Sequence, residues 1–262
     1  TYEECIAFYE KLDESFANIQ MIHKGTTDSG KPLHLVLFSS EGKFDFDEYF
    51  TKNKAVILIN NGIHAGEPDG IDATMMLMRD LAMGKIKTAK NTLIAAIPVY
   101  SVGGMLNRNS HSRANQNGPE EYGFRGNARN YDLNRDFIKS DTKNSRSFQK
   151  LFTELNPDIF LDNHVSNGAD YQYTFTCIAT QHERLGNTLG NYFINELYPS
   201  VVKDMNKKKI ALIMTAAMAA SMMFAGCGKT VDSSVSGSAS TAATGETATS
   251  ESSETVTVDY SI

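Results

Sequence analysis

The stretch AVILINNGIHAGEP, residues 55–68, decides the fold. Residues 55–60 form a short, almost continuous apolar run, which is typical of a strand buried on both faces of an α/β sheet. His64 and Glu67 follow at once in a glycine-containing turn, and Pro68 suits the first turn of a helix, where its missing N–H is not needed. Polar groups therefore follow a buried strand directly, which is where open α/β sheets place their functional sites.

The hydrophobic spacing of the neighbouring segments alternates between strand-like and helical patterns. It predicts strands at 19–23, 33–38, 55–60, 93–99, 159–161 and 171–178, and helices at 1–18, 68–81, 142–155 and 184–198. Residues 101–135 are polar, rich in Gly and Asn and without periodicity, and so long a loop is more often functional than idle. The predicted fold class is α/β, with a mixed, mostly parallel sheet and helices on both faces.

Composition excludes some classes of function. The 262 residues carry a net charge of −6, and no basic stripe with interleaved aromatic residues is present, so we expect no nucleic-acid partner. Cys5, Cys177 and Cys227 have no metal-type spacing, and their odd number rules out a fully paired disulfide framework.

Two histidines and a glutamate form the main candidate site. His64 and Glu67 are three residues apart, and His164 follows about a hundred residues later in the sequence DNH, at the end of the strand predicted at 159–161. A His₂Glu set holds zinc in hydrolytic sites and leaves one coordination position open. Asp162 is a suitable partner for the second ring nitrogen of His164, because zinc-bound histidines usually donate that N–H to a carboxylate or carbonyl.

Between the two halves of this set lies the sequence NYDLNRDF, residues 130–137. The amide of Asn134 and the guanidinium of Arg135 are suited to binding a carboxylate, since arginine offers a planar, two-pronged set of donors.

These residues together resemble the M14 family of zinc carboxypeptidases. The sequence GIHAGE at 62–67 is similar to the first ligand motif of that family, DLNR at 132–135 to its substrate-carboxylate motif, and His164 to its third ligand. Arg125, nine residues before Asn134, is similar to the oxyanion-stabilising arginine of the cytosolic-type branch. The resemblance covers roughly residues 2–200 and implies a mixed eight-stranded sheet with helices on both sides.

The resemblance also implies roles for individual residues and a reaction, the zinc-assisted hydrolysis of an amide bond. The implied set is His64, Glu67 and His164 for Zn²⁺, Arg125 for the oxyanion, and Asn134, Arg135 and Arg113 for the substrate. Arg113 is an equal candidate for the oxyanion role. The implied partner is a peptide or peptide-like substrate with a free C-terminal carboxylate.

The character of the chain changes at Met205. A small basic cluster at 206–209 precedes an apolar run at 210–225, and a lipobox-like sequence ends in Cys227. That order matches a bacterial lipoprotein signal, and it favours an extracytoplasmic location, periplasmic or secreted. We predict three parts: a partial zinc carboxypeptidase-like catalytic domain at 1–204, a signal-like apolar segment at 205–227, and a disordered tail rich in Ser and Thr at 228–262.

Three interpretations of the segment at 205–227 remain open. We favour a join between two unrelated reading frames, which would make the chain chimeric and its catalytic domain truncated. A C-terminal membrane anchor is the second interpretation, although the apolar run at 210–225 is shorter than the ~20 residues that span a bilayer. An ordinary core helix is the third. A membrane partner is expected only if this segment acts as a signal or anchor.

The general base of the family is not found in the sequence. It should follow the third ligand, in a region that here falls beyond Met205, where Glu246, Glu251 and Glu254 lie in the Ser- and Thr-rich tail. We therefore expect a metallocarboxypeptidase-like protein with impaired hydrolysis. Two alternatives stay open: a zinc deacylase of N-acyl amino acids, and a non-catalytic, lipid-anchored fusion product.

Overall fold

A computed structural model describes residues 1–51, 54–116, 118–166, 168 and 176–205 of the protein. Within them a five-stranded sheet carries the fold. Its strands are β1 (Ile19–Thr26), β2 (Pro32–Ser39), β3 (Ala55–Asn60), β4 (Thr92–Ile97) and β5 (Ile159–Asp162). The order across the sheet is β1-β2-β4-β3-β5. The pairs β1–β2 and β2–β4 are antiparallel, whereas β3 pairs in parallel with both β4 and β5.

Helices pack on both faces of this sheet. The helices of the described residues are α1 (Tyr2–Ser15), α2 (Phe46–Thr51), α3 (Asp69–Ala82), α4 (Val102–Leu106), α5 (Lys143–Leu155), α6 (Gly186–Tyr192) and α7 (Tyr198–Met205). The last two pack with the turns beside them in a separate small cluster. One core packs α1 and α3 against residues such as Ile57 and Ile59, and the other packs α5 against Val56 and Leu58. Successive residues of β3 thus enter opposite cores, as strand geometry requires, and the predicted mixed α/β class is confirmed.

Local sequence explains where the main helices begin and end. Thr1 caps α1 in a reciprocal capping box with Glu4. The side chain of Thr142 accepts a hydrogen bond from Ser145 N at the start of α5, and Asn156 ends that helix in the left-handed conformation.

Some local predictions differ from the structure. The loop predicted at 101–135 contains the short helix α4 and a 3-10 turn, Leu133–Arg135. The helix predicted at 184–198 is a broken series: a 3-10 turn at His182–Leu185, then α6, a π-helical turn at Phe193–Leu197, and α7. Helix α2, which the hydrophobic spacing did not predict, is only six residues long.

Two other predictions fall largely or wholly outside the described residues. The strand predicted at 171–178 is described only from 176 onward, and the signal-like segment and tail lie beyond the last described residue, Met205. Among the helices of the described part, none is long and apolar enough to span a membrane.

Candidate active site

The candidate ligands lie at the ends of two neighbouring parallel strands. His64 and Glu67 follow β3, and His164 follows β5, which pairs with β3 up to the Asn60–Asp162 position. Because both strands run in the same direction, the residues that follow them emerge at the same edge of the sheet. Gly62, with φ of 62°, turns the chain immediately after β3, a conformation that glycine adopts without steric cost.

The three side chains converge. The distance from His64 Nδ1 to Glu67 Oε1 is 3.0 Å, and from His164 Nδ1 to Glu67 Oε2 it is 2.8 Å. One ligand atom from each residue can be chosen so that all three lie within 4.8 Å of one another. Two imidazole nitrogens and a carboxylate oxygen match the donor set that zinc takes in hydrolytic sites, so the residues present fit this metal.

The far nitrogen of each imidazole faces a carboxylate. His64 Nε2 lies 3.0 Å from Asp132 Oδ1, and His164 Nε2 lies 3.0 Å from Asp162 Oδ2. An N–H on each Nε2 would donate to its carboxylate, which leaves the Nδ1 lone pairs for a metal. The contact between Asp162 and His164 is the one expected from the sequence. Asp132 was missed as a partner of His64, although its position two residues before Asn134 puts it in the motif already singled out.

Hydrogen bonds dominate the charge states of this cluster. Burial alone would lower the pKa of His164, but hydrogen bonds to Asp162 and Glu67 raise it to about 10. Burial would likewise raise the pKa of Glu67, yet hydrogen bonds from the two histidines hold it well below its ordinary value. In the metal-free protein His164 is therefore protonated near neutral pH and forms an ion pair with Glu67.

Arg125 lies beside His64 and Asp132. Its Nε and Nη2 donate to Asp132 Oδ2 at 3.1 and 2.9 Å, and its Nη1 lies 3.5 Å from His64 Nδ1. With 42% of its side chain exposed, Arg125 lies on the solvent side of the cluster rather than buried within it. This location is compatible with the oxyanion role predicted from the sequence, which stays a prediction.

Arg113 is buried, in contrast to Arg125. Its Nη2 donates to Glu67 Oε1 at 2.9 Å, and only 6% of its side chain is exposed. Gly66 makes room for it, because a Cβ at that position would lie 2.5 Å from Arg113 Cδ. The guanidinium is thus tied to the candidate metal ligand, whereas the sequence predicted a role in substrate binding, which stays a prediction.

Asn134 and Arg135 lie in the 3-10 turn that follows Asp132. The backbone N–H of Asn134 donates to Asp132 Oδ1, which also faces His64. Arg135 is exposed, and its Nη1 donates to the carbonyl oxygen of Asn134. The two residues predicted to bind a carboxylate therefore follow directly after the aspartate that faces His64.

Comparison with known proteins places the chain in a family. Residues 5–237 match the family described as zinc carboxypeptidase, peptidase M14. The protein therefore belongs to the M14 family of zinc carboxypeptidases, a family of zinc-dependent hydrolases. The matched range runs past Met205, the residue at which the composition changes.

Individual known proteins are similar to parts of the chain. The chain is 28% identical over 117 residues to "Probable carboxypeptidase 2" of Arthroderma benhamiae, covering 44% of this chain and 19% of that protein. A metallo-carboxypeptidase from Burkholderia cenocepacia shares the fold, with a TM-score of 0.51, 16% identity, and coverage of 82% of this chain and 55% of that one.

A third relative is the metallo-carboxypeptidase of Pseudomonas aeruginosa, solved in complex with (2-guanidinoethylmercapto)succinic acid. It matches with a TM-score of 0.51, 17% identity, and coverage of 75% of this chain and 48% of that one. The chain thus spans about half the length of these solved structures, and less of the curated relative.

Proposed function

We propose that this protein binds Zn²⁺ through His64, Glu67 and His164 and hydrolyses the peptide bond next to a free C-terminal carboxylate. The observation that carries the proposal is the convergence of the two Nδ1 atoms and the Glu67 carboxylate, with each Nε2 facing a carboxylate of its own. Such outer carboxylates orient the ring and raise the basicity of the ligand nitrogen.

Apart from a general base, the chain supplies groups that this reaction needs around the metal. Zinc in such a site would polarise the scissile carbonyl and lower the pKa of a water molecule. Arg125 would donate hydrogen bonds to the carbonyl oxygen as negative charge develops on it. Arg135 and Asn134 would hold the terminal carboxylate of the substrate, so that the C–N bond broken is the last one of the peptide. Water adds its hydroxyl to the carbonyl carbon and a proton to the leaving nitrogen.

We propose further that turnover is slow, because each carboxylate hydrogen-bonded to His64 or His164 is already engaged and is not free to act as general base. Three carboxylates are hydrogen-bonded to the histidines of the cluster: Glu67, Asp132 and Asp162. Glu67 faces both histidines, and each aspartate accepts a hydrogen bond from one imidazole. A base must reach the attacking water and be free to take its proton.

A substrate panel tests this function. The purified protein, loaded with one equivalent of zinc, is incubated with N-blocked dipeptides, the same dipeptides as C-terminal amides, and N-acyl amino acids. We expect slow release of the C-terminal amino acid from the free-acid dipeptides only, and none from the His64→Ala variant. Faster cleavage of the N-acyl amino acids would favour the zinc deacylase alternative. No zinc binding and no turnover would favour the non-catalytic alternative.

The same panel tests the proposed lack of a base. Turnover of a free-acid dipeptide at typical enzyme rates, ~1–10³ per second, that is lost in His64→Ala would show that a base is present. Zinc binding without cleavage of any substrate in the panel would support the proposed metal site but overturn the proposed activity.

A further inference from the structure

Asn60 occupies an unusual position at the end of β3. On the same face of this strand, Val56 and Leu58 are buried in the core that packs against α5. Alternation along a strand places residue 60 on that face too, and its side chain is fully buried. An apolar residue would be the expected choice, since a buried amide costs free energy unless its polar atoms are satisfied.

The amide of Asn60 is satisfied on one side only. Its Nδ2 donates to Asp162 Oδ1 at 2.8 Å, whereas its Oδ1 has no hydrogen-bond partner among the described residues. The amide orientation is fixed by this contact, because a flipped amide would place its oxygen against the carboxylate oxygen. A leucine in this place would avoid the cost of the unpaired acceptor. Core packing alone therefore does not account for Asn60.

The contact of Asn60 leads to the candidate metal ligand in two steps. Asp162 uses Oδ1 to accept from Asn60 and Oδ2 to accept from His164 Nε2 at 3.0 Å. With both oxygens engaged and its side chain 10% exposed, Asp162 has little freedom to rotate. His164 then directs Nδ1 towards Glu67. Asn60 and Asp162 are also direct neighbours in the parallel register of β3 and β5, so the rigid sheet carries this series of contacts.

We infer that Asn60 is a positioning residue for the zinc site, acting through Asp162 to hold the ring of His164 in its metal-binding orientation. This inference rests on the proposed zinc site. Loss of an outer partner of a metal ligand typically weakens metal binding 10- to 100-fold, and we expect an effect of this size on zinc affinity when Asn60 is replaced.

The primary test is the zinc dissociation constant of Asn60→Leu, measured by competition with a chelator, beside the urea-unfolding stability of the metal-free protein. We expect zinc binding to weaken 10- to 100-fold in a variant that still unfolds cooperatively, although the metal-free protein becomes less stable because the buried Asp162 Oδ1 loses its hydrogen bond. Thr74→Val is the control, since it removes a fully buried hydroxyl that bonds Gly70 O and Asn61 Oδ1. It should leave zinc binding within about threefold of the wild type. If Asn60→Leu does not fold, Asn60→Ala removes the same donor without adding bulk to the core.

A double-mutant cycle separates positioning through Asp162 from a general loss of packing. In the background Asp162→Asn, where the acceptor has lost its charge, Asn60→Leu should weaken zinc binding by no more than about threefold further. Equal losses in both backgrounds would overturn the inference, as would a zinc affinity of Asn60→Leu that matches the wild type. Failure of the wild-type protein to bind zinc would refute the proposed zinc site itself. Tight zinc binding by both the wild type and Asn60→Leu would refute only the positioning role of Asn60.

Discussion

Replacing Arg113 by methionine gives the sharpest test of the charge arrangement in the site. The guanidinium and the Glu67 carboxylate are both buried, with 6% and 2% of their side chains exposed, and are joined at 2.9 Å. Removing one partner of a buried ion pair typically costs about 3–5 kcal/mol, because the remaining charge is left uncompensated. Glu67 keeps donors from His64, His164 and the backbone N–H of Val165. We therefore expect the low end, about 3 kcal/mol, in the metal-free protein.

Bound zinc should reduce the contribution of Arg113 to the stability of the protein. A bound divalent cation supplies the positive charge that Glu67 loses in Arg113→Met, and the repulsion between the cation and the buried guanidinium disappears. The loss of unfolding free energy caused by Arg113→Met should therefore be at least about 1.4 kcal/mol smaller with zinc than without it. By the thermodynamic cycle, zinc binding to the variant should be about tenfold tighter than to the wild type.

The assay is urea unfolding of wild type and Arg113→Met, each with a chelator and with saturating zinc, together with the zinc dissociation constants. Arg129→Met is the matched control from the same loop, because Arg129 is 52% exposed and lies 4.0 Å from its partner Asp28. It should cost no more than about 1 kcal/mol and be insensitive to zinc. An equal loss of stability in both conditions, or weaker zinc binding in Arg113→Met, would refute the reasoning. Either result would mean that Arg113 stabilises the zinc-bound state.

Three further predictions concern other parts of the molecule. Burial, with a smaller contribution from His23, lowers the pKa of His34 to about 4. The stability contributed by His34 is therefore full above its unfolded pKa of ~6.5 and is lost as pH falls towards 4. His34→Gln should reduce the loss of unfolding free energy between pH 7.5 and 5 by about 2 kcal/mol, and an unchanged loss would contradict this. Asp132→Asn should weaken zinc binding 10- to 100-fold, because the carboxylate that faces the His64 ring loses its charge. A zinc affinity equal to that of the wild type would exclude Asp132 as a partner that supports His64. Arg135→Met should raise KM about 10- to 100-fold for free-acid peptides. A KM equal to that of the wild type would argue against carboxylate binding by Arg135.

The sequence predicts the strand ends that carry the site because apolar runs followed by glycine-containing turns have few other interpretations. It does not predict that β3 and β5 are neighbours, since strand order depends on packing between distant segments. The meeting of His64 and His164 was thus a hypothesis until the parallel pairing was known. Asp132 was missed for a related reason. A loop residue shows no periodicity, and its contact with His64 spans 68 positions.

The two histidines are held in different ways, and under the proposed function this difference would link substrate binding to only one of them. Asp162 belongs to a strand and is engaged on both oxygens, so the orientation of His164 is set by the sheet. Asp132 belongs to a loop and shares its carboxylate between His64 and Arg125. If Arg125 donates to the carbonyl oxygen of a substrate, it must release part of its contact with Asp132. The freed charge on Asp132 would then strengthen its hydrogen bond with His64, so the His64 side of the site would respond to substrate while the His164 side stays fixed.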